Sequence, residues 1–217
     1  MDYTFLIDLA LGMVQSVVIF ALTLLLSMPL GLLVYAGRVS RIKPVAWLVQ
    51  FYISVMRGTP LLLQLMVVYF GPYYIFGIQI SSGYRFWAVI IAFAINYAAY
   101  FAEIYRGGFQ AIPSGQSEAA FVLGYSPART FYSIKLPQMF RTVLPSITNE
   151  VITLVKDTSL AFGIAYAEMF TVAKEIASAE ASMAPFVAAG VFYWVFNLVV
   201  AVVMQTIEKR TSVYEIR

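Results

Sequence analysis

Five apolar segments dominate this chain, and each is long enough to cross a lipid bilayer as a helix. Such a helix needs about 20 mostly apolar residues. The segments cover residues 9–36, 45–76, 86–105, 137–166 and 185–207. Only 12% of the residues are charged, against about 25% in soluble domains. The sequence therefore predicts an all-α membrane protein with five transmembrane helices, organised as a single transmembrane domain over residues 1–217.

Lysine and arginine are unevenly distributed between the connecting loops. The positive-inside rule places loops rich in these residues in the cytoplasm. Basic residues follow the first, third and fifth segments: Arg38, Arg41 and Lys43; Arg106, Arg129, Lys135 and Arg141; Lys209, Arg210 and Arg217. The opposite loops contain only Arg85 and Lys174. We therefore expect the N-terminus outside and the C-terminus in the cytoplasm.

Several chemical classes are excluded by missing residue types. The chain has no cysteine and no histidine, so the usual zinc and haem ligands and the common nucleophile–base pairs are absent. It also lacks the G-x-x-x-x-G-K-[S/T] loop that binds nucleotide phosphates. We expect no catalytic residue, no metal and no cofactor in this chain, and no nucleic-acid partner.

A polar stretch between the third and fourth segments contains signals for two short helices. Ser114 is a candidate N-cap for a helix that includes Glu118. Gly124 lies where helices often end in a left-handed residue. Ser126 followed by Pro127 is a second helix start, with proline at the first helical position. This loop, residues 106–136, is expected on the cytoplasmic side.

The first of these short helices contains an apolar run, residues 119–123. A loop in water does not hide such a run by itself, and exposed apolar surface commonly marks a partner site. The alternative is an interfacial helix that lies on the lipid surface.

Spaced residues in and around this loop resemble the signature of ABC importer permeases. They are Glu118, Ala119, Ala120, Gly124, Ile134, Leu136 and Pro137. Further motifs resemble the polar-amino-acid branch of that family: Arg57-Gly58-Thr59-Pro60-Leu61 with Gln64, Glu103 to Gly108, Ile112-Pro113 with Gly115-Gln116, and Lys156 to Leu160. Together the matches run over about residues 57–160.

The resemblance implies a type I importer permease fold with a cytoplasmic coupling helix, in a multi-pass protein of the prokaryotic cytoplasmic (inner) membrane. Coupling to a separate ATPase would involve Glu118, Ala119, Ala120, Gly124 and Arg129. The implied partners are two ATP-binding subunits that hold ATP and Mg²⁺, an extracytoplasmic solute-binding protein, and a second permease copy or a paralogous permease, with the homodimer favoured. The implied substrate is a polar amino acid, with cationic ones such as arginine as candidates.

Charged residues inside the predicted spans are candidates for the substrate path, because each costs about 2.5 kcal/mol or more at mid-bilayer. They are Arg57, Glu103, Glu150, Lys156 and Asp157. The helical rise places Arg57 and Glu103 at similar depths, so they can pair with each other. Glu103 can alternatively pair with Arg106 along one helix.

A polar stripe on the third span is the best candidate for a lining surface. Asn96, Tyr100 and Glu103 follow one another at helical spacing on one face. They would either line a polar path or form hydrogen bonds between helices.

The fourth span contains a second polar group. Lys156 and Asp157 are adjacent, so they point about 100° apart on a helix. They belong either to a substrate site or to interhelical ion pairs. The hydroxyls of Thr158 and Ser159 would satisfy backbone groups freed by a helix break or bind a polar ligand.

Two further expectations concern packing and the outer face. Gly12, Gly31 and Gly190 are expected to allow close helix contact. Glu168, Glu175 and Glu180 are expected in a solvated outer loop beside Lys174, or against the binding protein.

Two other functional classes compete with the ATP-driven permease. An ion-coupled secondary amino-acid transporter would use the carboxylates inside the spans. A membrane enzyme is disfavoured, because the acidic residues form no recognisable catalytic arrangement.

Overall fold

The computed structural model describes residues 4–81 and 83–212, and these residues form helices and short connections without strands. The α-helices are α1 (Thr4–Arg38), α2 (Lys43–Gly58), α3 (Leu61–Phe76), α4 (Tyr84–Gln110), α5 (Gly115–Val122), α6 (Pro127–Thr130), α7 (Leu136–Asp157), α8 (Met169–Glu180) and α9 (Ala184–Ser212). A π-helical segment, Phe131–Lys135, joins α6 to α7, and a 3₁₀ helix, Thr158–Ile164, follows α7. Arg217, one of the basic residues that indicate the orientation, lies outside the described residues.

Three helices of the described chain are long and apolar enough to cross a membrane, namely α1, α4 and α9. They contain the first, third and fifth predicted spans. The second predicted span is a pair of helices, because the chain bends by 111° between α2 and α3. The pair adds a fourth candidate if it is taken as one span. Helix α7 lies in the fourth predicted span but carries four charged residues and is not among these candidates. The all-helical prediction is confirmed, whereas the five-span count and the orientation remain predictions.

The bend between α2 and α3 follows from Thr59 and Pro60. Thr59 is extended, with φ −124° and ψ 149°, as expected for a residue that precedes proline. The side chain of Gln64 closes the bend by donating from Nε2 to the carbonyl oxygens of Met56 at 3.0 Å and Thr59 at 3.1 Å. The bend leaves Arg57 in the last turn of α2, next to α4.

Helix α4 forms the centre of the core. Of its most apolar 18 residues 67% are buried, compared with 22% for α1 and 11% for α9. Phe93, Phe101 and Tyr105 are almost completely buried along α4. Helices α1 and α9 therefore leave broad apolar faces open to lipid or to other chains.

Two of the three glycines predicted at close helix contacts are found there. A Cβ on Gly31 would lie 2.7 Å from the Cβ of Phe101, and one on Gly12 would lie 2.9 Å from the Cα of Met169. The prediction for Gly190 is wrong, because a Cβ there would meet nothing within 4 Å.

The solvated position predicted for Glu168 is also wrong, since this side chain is fully buried. Its carboxylate caps α8 by accepting from the backbone N–H groups of Phe170 and Thr171, both at 2.8 Å. It also accepts from the hydroxyl of Tyr193 on α9 at 3.0 Å and from Ser16 on α1 at 3.4 Å. The sequence context suggested an exposed loop, but these donors from three helices satisfy the buried charge.

Candidate functional site

Glu103 on α4 lies at the centre of three arginine side chains. Nη1 of Arg38 lies 2.9 Å from Oε1 of Glu103, and Nη2 of Arg106 lies 2.9 Å from Oε2. Nη1 of Arg57 is farther, at 3.7 Å from Oε2. Both predicted pairings of Glu103 are therefore present at once. The participation of Arg38, used above only for orientation, was not predicted.

The ends of two helices bring these charges together. Arg38 is in the last turn of α1 and Arg57 in the last turn of α2, where the helix dipole favours a cation. The Glu103 side chain is only 12% exposed, whereas that of Arg57 is 45% exposed. Three guanidinium groups around one carboxylate leave the cluster with net positive charge.

A cavity of about 410 Å³ opens between α4 and α7 beside this cluster. Arg57 of α2 and Tyr100, Glu103 and Arg106 of α4 line one side, and Glu150 lines the α7 side. The guanidinium of Arg57 lies 5.4 Å from the centre of the Tyr100 ring, within range of a cation–π contact. Glu150 has no ion pair among the described residues. The cavity thus presents accessible groups of both charge signs.

Asn96, the first member of the predicted stripe, is buried and does not line this cavity. Its Nδ2 donates to the carbonyl of Met56 at 3.1 Å and to Oε1 of Gln64 at 2.8 Å. Asn96 therefore joins α4 to α2 and α3, which is the interhelical alternative stated above. Gln64 was not predicted as the hydrogen-bond partner of Asn96, because the bend that brings Gln64 to α4 depends on tertiary packing.

Asp157 at the end of α7 pairs with α4 through a tyrosine. The hydroxyl of Tyr97 donates to Oδ2 of Asp157 at 2.7 Å. Lys156 is exposed while Asp157 is half-buried, so the two adjacent residues have different surroundings, as their helical spacing predicts. Asp157 is seven residues after Glu150, which places both carboxylates on one face of α7.

Thr158 and Ser159 mark the change from α-helix to 3₁₀ helix. Thr158 Oγ1 donates to the carbonyl of Val155 at 2.8 Å, and Ser159 Oγ donates to that of Lys156 at 2.7 Å. The backbone stays helical after Asp157 and tightens to the 3₁₀ form without a break, and the two hydroxyls bond to carbonyls of the last α-helical turn. Thr158, Ser159 and Lys156 do not line the cavity beside Glu103.

The loop between α4 and α7 forms the two predicted short helices. Gly124 has a φ of 77°, the left-handed conformation expected where α5 ends. Ala120 is buried, whereas Glu118 and Ala119 are exposed. Beyond them, three apolar side chains are unusually exposed, namely Phe121 at 81%, Val122 at 84% and Leu123 at 70%. We call these three residues the α5 tip.

One of the two predicted helix caps is present. Ser126 Oγ accepts from the backbone N–H of Arg129 at 3.3 Å, with Pro127 at the first position of α6. Ser114 precedes α5 but its side chain makes no capping hydrogen bond, because its backbone is already helical, with ψ at −32°. The guanidinium of Arg129 lies 4.2 Å from the centre of the Tyr125 ring, so this side chain packs within the loop.

The structure therefore brings together only some of the residues predicted to form the substrate path. Arg57, Tyr100 and Glu103 meet at the cavity, and Glu150, one of the charged candidates within the spans, joins them. Glu150 was not part of the predicted polar stripe, because it lies on α7 and reaches the cavity only through the packing of α7 against α4.

Sequence comparison connects the chain to transport proteins. The family described as binding-protein-dependent transport system inner membrane component matches residues 27–213. The arginine transport system permease protein ArtQ of Bacillus subtilis is 35% identical over 200 residues, covering 92% of this chain and 90% of that protein. The L-cystine transport system permease protein TcyB of the same organism is 33% identical over 205 residues, covering 94% and 86%.

Structural comparison gives a similar result. A chain in the crystal structure of an amino acid ABC transporter with histidines superposes with a TM-score of 0.86 and 31% sequence identity. The match covers 97% of this chain and 99% of that chain.

Proposed function

The chain belongs to the family of binding-protein-dependent inner-membrane transport components and to its amino-acid ABC permeases, as its motifs predicted, and on that premise we propose a specific division of labour within it. The cavity beside Glu103 forms part of the path for a polar amino acid. The α5 tip contacts a separate ATPase subunit and transmits its conformational changes to this path. The observation that carries the proposal is the cavity with accessible groups of both charge signs.

The cavity suits an amino acid because it offers a partner for each end of a zwitterion. Arg57 is the most exposed arginine of the cluster and the most weakly held, so its guanidinium is available to a substrate carboxylate. Glu150, across the cavity and without an ion pair among the described residues, is available to the substrate ammonium. Asp157 does not line the cavity, but it lies two turns farther along the same face of α7, where its carboxylate, which accepts a hydrogen bond from Tyr97, offers a second acceptor along the path.

A second acidic group makes cationic amino acids such as arginine the favoured substrates. Glu103 itself is unsuited to this role, since three guanidinium groups already surround it. Glu150 and Asp157 would divide the α-ammonium and the cationic side chain between them. The arginine transport permease of Bacillus subtilis is a relative consistent with this choice.

The α5 tip is proposed as the contact with the ATPase, with the helix that contains Glu118, Ala119 and Ala120 as the coupling helix. Three large apolar side chains at 70–84% exposure would be costly in water and are typical of a surface that another protein covers. Gly124 lets the chain turn sharply after the tip, and Arg129 stiffens the following turn by packing on Tyr125.

The membrane arrangement and the assembly complete the proposal. The single domain spans the membrane five times, with α7 as a polar span shielded by neighbouring chains and with the N-terminus outside. A second permease copy would close the open side of the cavity, where Arg57 is 45% exposed. Two ATPase subunits would bind ATP and Mg²⁺ on the cytoplasmic side, and a solute-binding protein would deliver the amino acid outside.

The cavity is tested in proteoliposomes that contain the permease with the ATPase and binding protein of its own system. Glu150→Gln and Arg57→Gln should each raise the arginine concentration for half-maximal ATPase stimulation about tenfold, since each removes one charge-assisted hydrogen bond. Glu175→Gln, an exposed carboxylate on α8, is the matched control. Unchanged half-saturation in both cavity variants would argue against a substrate site there.

The coupling surface is tested by Glu118→Ala and by Phe121→Ser. Both side chains are exposed, so the permease should keep its thermal stability while the amount of co-purifying ATPase, or ATP-driven uptake, falls. Glu180→Ala on α8 is the control for loss of an exposed carboxylate. Full co-purification and full uptake by both variants would remove α5 from the coupling role. Uptake driven by an ion gradient without ATP would instead favour the secondary transporter.

A further inference from the structure

A second pocket, of about 350 Å³, borders the arginine cluster and shares Arg106 with the cavity of the proposed path. Arg38 from α1, Arg106 from α4 and Lys135 from the π-helical segment line it, together with Gln50 from α2. We call it the basic pocket. No acidic side chain is among its lining residues.

The charges around the basic pocket are not balanced by the protein. Arg38 and Arg106 share the single carboxylate of Glu103, and Arg57 forms a third, longer ion pair with it. Lys135 is half-buried and has no ion pair within the described part of the chain. Partly buried cations without counter-charges favour an anionic ligand.

The inner wall of the pocket is apolar. The rings of Tyr35 and Phe109 stack with centres 5.0 Å apart and planes at 10°, and Phe109 stacks on Phe131 at 5.4 Å and 19°. All three residues line the pocket. A ligand that fits must therefore combine an anionic group with an apolar part.

The rim of the pocket on α2 is continuous with a surface suited to lipid. Gln50 lines the pocket, and Trp47, one turn earlier, stacks with Phe51 at 6.1 Å. Trp47 is 68% exposed and Phe51 is 60% exposed. Exposed tryptophan beside basic residues at helix ends is typical of the membrane–water interface.

We propose that the basic pocket binds the phosphate of an anionic phospholipid from the cytoplasmic leaflet, with its acyl chains running past Trp47. Basic pockets between helices on this side of a membrane suit such headgroups. The inference rests on the proposed orientation but not on the proposed substrate. The bound phosphate would share Arg38 and Arg106 with Glu103. The lipid would therefore weaken the ion pairs that hold the Glu103 carboxylate at the border of the substrate path.

The test measures lipid contact at Trp47 in the full permease–ATPase complex, reconstituted in vesicles of phosphatidylcholine and phosphatidylglycerol. The chain has three tryptophans. With Trp87→Phe and Trp194→Phe, Trp47 is the only tryptophan of the permease. An ATPase whose tryptophans are replaced by phenylalanine removes the remaining background fluorescence. Brominated phosphatidylglycerol should quench Trp47 at about a fivefold lower mole fraction than brominated phosphatidylcholine, the preference expected for one unpaired cation.

Lys135→Gln should abolish most of this preference, whereas Arg41→Gln should keep it. Arg41 is an exposed basic residue in the loop after α1 that does not line the pocket, so it controls for general surface charge. Equal quenching by both lipids, or equal losses in the two variants, would overturn the proposal. Loss of the quenching on addition of millimolar inorganic phosphate would show that the site prefers free phosphate to the lipid headgroup, and it would overturn the assignment to lipid.

Native mass spectrometry of the complex with unaltered tryptophans provides a second measurement. Retained phosphatidylglycerol should decrease in Lys135→Gln and not in Arg41→Gln, and equal retention would contradict the proposal. Neither readout involves transport, so their failure would leave the proposed function untouched.

Discussion

The α5–α6 loop and the Glu103 cluster are both polar regions of an apolar chain, but they are held together in different ways. Within the loop, Gly124 ends α5 by its own backbone conformation and Ser126 caps α6 three residues before Arg129. In the cluster, Arg38, Arg57 and Glu103 come from three helices and meet only when those helices pack. The loop is organised by neighbours in sequence and the cluster by neighbours in space.

This difference separates the two proposed roles. A loop with local hydrogen bonds and an exposed apolar tip can change its partner without disturbing the fold. A cluster that ties α1, α2 and α4 together cannot lose its central carboxylate without leaving three cations near one another. Mutations in the loop should therefore affect coupling, and mutations in the cluster should affect stability as well.

The largest effect is expected for Glu103→Gln. Removing the charge leaves three guanidinium groups without their shared partner, at a cost of about 2 kcal/mol, which is reduced from the buried-pair value because the arginines are partly exposed. Thermal unfolding of the purified permease should occur at a clearly lower temperature, and uptake should be lost.

The matched control is Glu118→Gln, the same substitution at an exposed carboxylate of the loop. It should change the free energy of unfolding by no more than about 0.5 kcal/mol, and the unfolding temperature should stay almost the same. If the two variants unfold at the same temperature, the distinction between cluster and loop fails.

A smaller effect is expected for Gly31→Ala, which tests the packing beneath the cluster. The added Cβ would lie 2.7 Å from the Cβ of Phe101, so α1 and α4 must move apart, at a cost of about 1.5 kcal/mol. Because Arg38 and Glu103 lie on these two helices, their 2.9 Å contact should also lengthen. Gly190→Ala has open space and should not destabilise the protein. Equal unfolding temperatures for both alanine variants would show that close α1–α4 contact is not required.

The smallest effect is expected within the loop, for Ser126→Ala. Loss of the cap should cost about 0.5 kcal/mol, at the lower end for such caps because the bond is exposed and 3.3 Å long. Ser114→Ala should have no measurable effect, since Ser114 makes no capping hydrogen bond. Hydrogen exchange of the Arg129 amide would measure the first change, and equal exchange in the two variants would contradict it.

Particular residues show where prediction from sequence succeeded. The left-handed Gly124 and the Ser126-Pro127 start of α6 depend on backbone chemistry over a few residues, and both are present. The pairing of Arg57 with Glu103 was also predicted, because helical rise converts sequence distance into depth.

Other residues show why the remainder was missed. Glu168 was predicted in a solvated loop, but hydrogen-bond donors from α1, α8 and α9 surround its carboxylate. No pattern in the neighbouring sequence indicates these donors. Arg38 was treated as a topology signal, although its distance to Glu103 depends on how closely α1 packs on α4. Asn96 lies on the predicted stripe, but the bend at Pro60 brings Gln64 against it and removes it from the cavity wall.

The sequence by itself determined the membrane class, the helical composition, the family and the short-range structure of the loop. These depend on hydrophobicity, on spacing along one chain and on backbone preferences, all of which are local quantities. Only the tertiary structure decided which charges meet, which residues line each cavity and which acid is buried. Those outcomes depend on the angle and distance between helices, which are set by the combined packing of side chains far apart in sequence.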